Sequence, residues 1–192
     1  MIAVLFARGD SVYKTFPDCD VWDEQRDARQ WGGGAALVAH PPCAQWGRLR
    51  AFSNDIPEVK ALAPMAVQHV QRYGGVLEHP AGSLLWGTCG LPLPGHPPDR
   101  FGGWTARIRQ CDWGHRAEKL TWLYIVGVHP DDLPELPPAG EPTHAISSRR
   151  NLPETSKAER EHTPVSFARW LVETASRCTV TAPGGSRQTI GV

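Results

Sequence analysis

Ala-Ala-Leu-Val-Ala-His-Pro-Pro-Cys, residues 35–43, is the segment from which we infer the architecture of the chain. Five small or branched apolar residues in a row, preceded by three glycines, predict a short strand that is buried on both faces, as in a mostly parallel sheet. Pro41 and Pro42 end the strand, because each proline fixes φ and lacks an N–H group. Cys43 then lies just beyond the carboxyl end of the strand, where open α/β sheets place their ligand sites.

The same pattern recurs at residues 76–80, Val-Leu-Glu-His-Pro, where a short apolar strand leads into polar residues and a proline. Between the two strands, apolar residues recur at helical spacing up to a pair of glycines, which predicts a helix that ends at Tyr73. Pro64 is expected to kink this helix or to divide it. Because the crossover between parallel strands is right-handed, we expect Cys43 and Glu78 to lie close together on one edge of the sheet.

The remaining elements fit a single α/β domain, and 192 residues are enough for one complete core. Further strands are predicted at residues 2–7, 20–23, 104–110 and 121–127, and a final amphipathic helix at 163–177. We divide the chain into an α/β core at 1–128, a Pro-rich and basic linker at 129–162, a C-terminal helix that packs on the core at 163–178, and a tail at 179–192.

Composition limits the classes of partner and compartment. Lys plus Arg and Asp plus Glu are 20 each, so no overall field draws the chain to nucleic acid, and such a contact needs a local basic patch. Five cysteines without paired spacing argue against a disulfide framework, and we expect a reducing, cytoplasmic setting, the host cytoplasm for a phage-encoded chain. No apolar run has membrane-spanning length, and we expect no membrane partner.

Three segments, in this order, resemble the motifs of the cytosine-5 DNA methyltransferase family. They are Pro-Pro-Cys at 41–43, Leu-Glu-His-Pro at 77–80, and Trp-Gly-His-Arg-Ala-Glu-Lys-Leu-Thr at 113–121. In that family a Pro-Pro-Cys loop supplies a nucleophile, a Glu-Asn-Val segment supplies a glutamate, and a basic segment precedes a strand that ends in glycine. The third segment is similar to a Tyr-Gly and Lys-x-Thr variant found in some members, including phage ones. The polar stretch after residue 127 is too short for a large target-recognition domain, so the chain resembles a short, phage- or prophage-type member.

The resemblance implies a Rossmann-like, methyltransferase-type fold and a base-modifying enzyme that transfers a methyl or related one-carbon group from S-adenosylmethionine to a pyrimidine of a nucleic acid or nucleotide. Cys43 would attack carbon 6 of the ring, Glu78 would act at ring nitrogen 3, and Lys119 or Arg116 would be the basic partner. The cofactor would contact Phe6, Gly9, Asp23 and Pro41. The substrate would contact Trp46, Arg48, His79, Ser83 and Thr121, with the base flipped out of its stack.

Other interpretations of the same residues stay open. Cys43 can be a structural thiol, and Glu78 can be neutralised by Arg48 or Lys119 without any catalysis. A zinc site could draw its ligands from His40, Cys43, His79, Cys111 and His115, but no Cys-x-x-Cys accompanies them, and we expect no metal. The competing function is a non-catalytic nucleic-acid-associated or inhibitor protein that keeps the methyltransferase-like fold.

Overall fold

One mixed sheet organises the structure, a computed structural model that describes residues 1–47, 50–146 and 151–179. Within these residues its strands are β1 (Ile2–Leu5), β2 (Cys19–Trp22), β3 (Leu37–Ala39), β4 (Gly75–Pro80), β5 (Trp104–Arg109) and β6 (Leu120–Val126). Their order across the sheet is β2-β1-β3-β4-β6-β5. The first four strands are parallel, and β6 is antiparallel to both of its neighbours. The predicted mostly parallel sheet is therefore confirmed, and the strand predicted at 104–110 is β5, at one edge of the sheet.

β3 lies at the centre of the core, as its apolar sequence predicts. It is paired on one side with β1 and on the other with β4, and all three of its residues are fully buried. Gly75 permits this pairing at the start of β4, because a Cβ atom there would lie 2.0 Å from the carbonyl oxygen of Leu37. Its φ of 129° is also unfavourable for other residues.

Two longer helices cover opposite faces of the sheet. The described helices are α1 (Pro57–Lys60), α2 (Leu62–Tyr73), α3 (Leu85–Cys89), α4 (Lys157–Glu161) and α5 (Val165–Arg177). α2 packs with Leu37 and Leu77 on one face, and α5 packs with Val38 and Val76 on the other. The predicted division of the first helical segment is present, although the break precedes Leu62 and Pro64 lies in the first turn of α2.

The first two crossovers differ from those of a doubly wound sheet. The β1–β2 and β2–β3 connections, both fully described, contain only 3-10 turns, at Val12–Thr15 and Ala28–Gln30. In a nucleotide-binding Rossmann unit a helix begins directly after the first strand, and its N-terminus faces the ligand. The structure is thus a single α/β domain whose first crossovers depart from that pattern.

The predicted linker is attached to the core rather than extended away from it. The backbone N–H of His144 donates to the carbonyl of Arg116 at 3.0 Å, and Arg160 donates to the carbonyl of Ile146. α4 lies within this segment. Residues 147–150 and the predicted tail from 180 onward lie outside the described residues. None of the helices within the described ranges combines the length and the apolar character that crossing a membrane requires.

Replacement of Phe167 by alanine is expected to lower the free energy of unfolding by about 3–5 kcal/mol, because a large cavity would remain under α5. Phe167 is fully buried, and its ring lies 5.0 Å from that of Trp113 and 6.3 Å from that of Trp170. Urea denaturation of Phe167→Ala tests this, with Val165→Ala as the control, since Val165 is 53% exposed on the same helix. Equal losses in the two variants would contradict the packing role of Phe167.

Candidate active site

Polar residues from several segments meet at the carboxyl edge of the parallel strands, on the α5 face of the sheet. Because side chains alternate along a strand, Glu78 shares a face with Val76, and His40 follows on the face of Val38. Both valines belong to the buried cluster that contains Phe167 of α5. The start of β6 reaches the same edge, because β6 runs antiparallel to β4 and places Thr121 opposite Pro80.

Glu78 is the centre of this group and is held through both carboxylate oxygens. Nδ1 of His40 lies 3.1 Å from Oε2, and Nε2 of Gln110 donates to Oε1 at 2.9 Å. Oγ1 of Thr121 lies 3.4 Å from the same Oε1 and accepts a second hydrogen bond from Gln110 at 3.0 Å. The Glu78 side chain is only 14% exposed. The carboxylate is therefore fixed in position, with a small accessible surface.

A contact with Tyr13 orients the ring of His40. The hydroxyl of Tyr13 lies 2.9 Å from Nε2 of His40. Burial, assisted by the charge of Glu78, raises the pKa of Tyr13, so its hydroxyl stays protonated and can donate to Nε2. His40 can then donate its Nδ1 hydrogen to Glu78. The 3-10 turn that carries Tyr13 thus helps to place a carboxylate on β4.

The surroundings keep Glu78 ionised. Burial by itself would raise the pKa of this carboxyl, but the hydrogen bond from His40 and the charges of Lys119, His40 and His79 lower it to about 2. A buried carboxylate is stable only with such partners. Glu78 accordingly accepts hydrogen bonds in this structure and carries no proton near neutral pH.

Cys43 and Lys119 interact electrostatically with Glu78 at the same edge. Cys43 is an exposed residue, but burial of its thiol against the site raises the pKa, the charge of Glu78 raises it further, and Lys119 opposes the shift. Burial lowers the pKa of Lys119, against the charges of Glu78 and Cys43. The site therefore holds a neutral thiol, an ionised carboxylate and a lysine that releases its proton more readily than an exposed one.

Backbone strain is found at two of the predicted site residues. Lys119 has a φ of 35° and Phe6 a φ of 60°, both in the left-handed region. For residues other than glycine this conformation costs on the order of 1–3 kcal/mol, and it persists only where the surroundings impose it. Lys119 lies directly before β6, so the strained residue is the one that presents the cation to the site.

Arg116, the other predicted cation, is not brought to this group. Its guanidinium group forms an ion pair with the carboxylate of Glu159 on α4 and lies 3.1 Å from Nε2 of His144. The Arg116 side chain is 55% exposed. Of the two candidate basic partners, Lys119 is thus the one that acts on Glu78 and Cys43.

Most of the predicted substrate contacts have internal roles in the structure. His79 lies on the opposite face of the sheet from Glu78, fully buried beside Trp86, and neither ring nitrogen has a good hydrogen bond. Trp46 is buried in the α2 core, and Ser83 caps the backbone N–H of Leu85. These three residues are not available to a base in this conformation. Thr121 supports Glu78, and Arg48 lies outside the described residues.

Two of the predicted cofactor residues, Gly9 and Asp23, are bridged by the side chain of Lys14. Nζ of Lys14 lies 2.5 Å from the carboxylate of Asp23 and donates to the carbonyl of Gly9 at 2.7 Å. The other oxygen of Asp23 accepts the backbone N–H groups of Gln25 and Arg26. Asp23 is 6% exposed, so little of it is open to a ribose. Of the other two candidates, Pro41 is buried and Phe6 is partly buried.

Sequence reasoning missed three residues that complete the site. The sequence marks His40 only as a candidate metal ligand, and it marks neither Tyr13 nor Gln110 as a site residue. The position of His40 directly after β3 could have suggested its role, because it repeats the place of Glu78 one strand away. Tyr13 lies in the 3-10 turn Val12–Thr15, and Gln110 begins the 3-10 turn that directly follows β5. No local sequence pattern marks either residue.

The alternative zinc site is not assembled. Among residues 1–47, 50–146 and 151–179, no group of three or more His, Cys, Asp or Glu side chains is arranged to hold a metal ion. A cavity of about 690 Å³ lies at the opposite edge of the sheet, beside Trp104 and Gly127. Its described lining contains no carboxylate, thiol or lysine, so we place the candidate site at the carboxyl edge instead.

Comparison of the chain with models of known families, with curated proteins and with solved structures finds no match. Interpretation of the site therefore depends on its chemistry.

The unfolding free energy is expected to fall as the pH drops from about 4.5 towards 2, in part through Glu78. The pKa of this carboxyl is lowered from 4.5 to about 2 in the folded chain, so the unfolded chain takes up the proton first. The contribution, on the order of 3 kcal/mol, is complete above pH 4.5 and is lost below it. Urea denaturation across this range should show a shallower pH dependence in Glu78→Gln than in the wild type. Glu173→Gln is the control, because Glu173 pairs with Arg177 on the surface. Parallel curves for the wild type and Glu78→Gln would contradict this role.

Proposed function

We propose that this chain is a base-modifying enzyme that acts on a pyrimidine of a nucleic acid or nucleotide, with Cys43 as the nucleophile, as in the cytosine-5 DNA methyltransferase family that it resembles. The observation that carries the proposal is the meeting of Cys43, Glu78 and Lys119 at one edge of the sheet, with Glu78 held by His40 and Gln110. A mostly parallel α/β sheet with the site at its carboxyl edge supports the same class.

The chemical groups of the site suit a thiol addition, in which Cys43 must lose its proton as it attacks, because the pKa of the resting thiol is raised. A pyrimidine is unreactive at carbon 5 until a nucleophile adds to carbon 6. In the proposed step the sulfur of Cys43 forms a bond to carbon 6, and the electron pair of the 5,6 double bond moves into the ring. In the same step the thiol proton passes by way of the Glu78 carboxylate to ring nitrogen 3, because a carboxyl group with a pKa of about 2 does not hold the proton by itself. Carbon 5 then has the character of an enamine carbon and can accept an electrophile.

The other residues have positioning roles in this proposal. His40 and Gln110 fix the Glu78 carboxylate, so that its protonation is coupled to the bound ring rather than to water. Lys119 stabilises the negative charge that develops on the sulfur or on the ring oxygen. In the reverse direction, carbon 5 takes a proton from water and releases its original proton to water, the bond from sulfur to carbon 6 then breaks, and the proton on ring nitrogen 3 returns by way of Glu78 to the thiol, which restores the aromatic ring.

S-adenosylmethionine, the donor that the resemblance implies, is not accommodated by the residues expected to hold it. Lys14 and two backbone N–H groups occupy the Asp23 carboxylate, and a 3-10 turn stands where a ligand-facing helix is expected. At Phe6 a non-glycine residue has the left-handed backbone that a flexible glycine would adopt more easily. The chemistry proposed for the residues of this chain is therefore activation of the base at carbon 5.

The same observation favours the second candidate function, a non-catalytic nucleic-acid-associated or inhibitor protein with this fold. If the Lys14 and Asp23 ion pair closes the cofactor side permanently, Cys43 and Glu78 would bind a base without modifying it. The two functions differ in whether the thiol forms a bond to the ring.

Exchange of the hydrogen at carbon 5 tests the bond to the ring without a donor. In deuterated water, reversible addition of Cys43 to carbon 6 should replace this hydrogen of cytosine by deuterium. Mass spectrometry of nucleosides after incubation with deoxycytidine 5′-monophosphate or an oligodeoxynucleotide measures the replacement. We expect Cys43→Ala to abolish exchange, and Glu78→Gln to slow it by about 10²–10³-fold through loss of transition-state stabilisation.

The thermal stability of Cys43→Ala shows whether a loss of exchange is due to the missing thiol or to unfolding of the variant. Because Cys43 is an exposed residue, its melting temperature should stay within about 2 °C of the wild type. Cys111→Ala is a control, since Cys111 is the buried free cysteine among the described residues and should leave exchange intact. Exchange that persists in Cys43→Ala would overturn the proposal, and no exchange in the wild type would favour the binding protein.

Calorimetric titration with S-adenosylmethionine is expected to show no binding in the micromolar range, because Lys14 holds the Asp23 carboxylate. Lys14→Met removes this ion pair and is the informative comparison. A micromolar dissociation constant for the wild type, about 8 kcal/mol of binding free energy, would contradict the expectation and support methyl transfer. Binding by Lys14→Met alone would show that the ion pair is what closes the cofactor side.

A further inference from the structure

The segment that contains α4 crosses the carboxyl edge of the sheet beside the candidate site. It enters through a hydrogen bond from the N–H of Thr155 to the carbonyl of Ala145, and Ser156 caps α4 by accepting the N–H of Glu159. It leaves at His162, whose carbonyl accepts a hydrogen bond from Nζ of Lys119 at 3.2 Å. We call residues 155–162 the strap.

The strap places one carboxylate, that of Glu161, at the site. Nη1 of Arg8 lies 2.6 Å from Oε2 of Glu161. Glu161 also interacts electrostatically with Lys119 and with the thiol of Cys43. Glu161 thus pairs with Arg8 and, at 3.9 Å, with Lys157 on its own helix, and its charge also acts on Lys119 and on the proposed nucleophile.

We propose that Arg8 and Lys119 form a phosphate subsite beside Cys43, and that Glu161 occupies this subsite until a nucleotide phosphate displaces it. The inference rests on the proposed function and adds to it the group by which the substrate is held. An arginine and a lysine together suit a phosphate, since the guanidinium group binds two oxygens in its plane and the ammonium group adds a point charge.

Displacement of the Glu161 carboxylate from Arg8 costs little free energy, because this ion pair is exposed. The side chains of Arg8 and Glu161 are 40% and 44% exposed, and exposed pairs contribute little to stability. Asp10 pairs with Arg8 at 2.9 Å and with His162 at 3.1 Å, so this carboxylate keeps the guanidinium group in place and also opposes an incoming anion. Because a ligand must compete with the Glu161 carboxylate for Arg8, we expect dianionic or multiply charged ligands to bind better than singly charged ones, and binding to weaken as salt rises.

The proposed ligand chemistry, a phosphate group attached to a pyrimidine nucleoside, has two sources. One is a free nucleotide with a terminal phosphate, and the other is the backbone of a single strand. Both can be compared through protection of Cys43 from iodoacetamide in the full-length chain, measured by peptide mass spectrometry at low salt. The probes are deoxycytidine, deoxycytidine 5′-monophosphate, and a short single-stranded oligodeoxynucleotide without terminal phosphates.

We expect the nucleotide or the oligonucleotide to protect Cys43 at lower concentration than the nucleoside. Arg8→Gln should raise the apparent dissociation constant of the phosphate-bearing probe about tenfold, and Glu161→Gln should lower it about two- to fivefold. Glu159→Gln is the matched control, because Glu159 lies on the same strap but pairs with Arg116. It should change this constant less than Glu161→Gln does.

Equal protection by nucleoside and phosphate-bearing probes, or no protection by any probe, would overturn the subsite. So would equal effects of Glu159→Gln and Glu161→Gln, which would mean that loosening of the strap, rather than occupation by Glu161, explains the change. Stronger protection by the oligonucleotide identifies a strand as the ligand, and stronger protection by the nucleotide identifies a free nucleotide. Phosphate-dependent protection without hydrogen exchange at carbon 5 would retain the subsite and reject only the proposed chemistry.

Discussion

The arrangement at the carboxyl edge depends on keeping one carboxylate, that of Glu78, ionised while it is almost buried. Such a charge is unstable in an apolar environment unless hydrogen-bond donors and cations surround it. His40 from the end of β3, Gln110 from the end of β5, and Lys119 from the start of β6 meet this requirement. The need to satisfy Glu78 therefore connects four separate segments of the chain and fixes their relative positions.

The direction of β6 makes this convergence possible. A fifth parallel strand would have placed its preceding loop at the amino edge of the sheet, far from Cys43. Because β6 is antiparallel to β4, the loop before β6 and the start of β6 lie beside the ends of β3 and β4, and they carry Lys119 and Thr121 to the site. The left-handed backbone at Lys119 is the local consequence, since the chain must turn sharply there to enter the strand.

The structure brings together the residues predicted to act on the base, but it does not leave the residues predicted to hold the cofactor open to a ligand. On the side of the base, the thiol, the carboxylate and the lysine meet, and additional residues support them. On the side of the cofactor, Lys14 binds the Asp23 carboxylate and the Gly9 carbonyl, and the helix that would face a ligand is replaced by a 3-10 turn. The residues expected to act on a base thus lie together, whereas residues expected to hold a nucleoside cofactor are occupied by contacts within the chain. The strap adds a third element, because Glu161 pairs with Arg8 at the position where we propose that a substrate phosphate binds in its place.

Sequence by itself determined the strands, the mostly parallel sheet and the edge at which the site lies. These features depend on local composition: an apolar run ended by Pro41 and Pro42 must leave the sheet at Cys43, and the same pattern places Glu78 one strand away. It also predicted the buried stripe of α5, because helical periodicity is a local property.

Tertiary structure decided which polar residues belong to the site. His79 and Glu78 are neighbours in sequence, yet the alternation of side chains along β4 sends them to opposite faces, and only the packing of α2 and α5 shows which face carries the site. Trp46 became part of the core, and Arg116 was taken by Glu159. Tyr13, Gln110 and Glu161 reach the site from far along the chain, so no spacing in the sequence marks them. Contacts of this kind depend on the path of the folded chain, whereas strands and their ends depend on the residues within each segment.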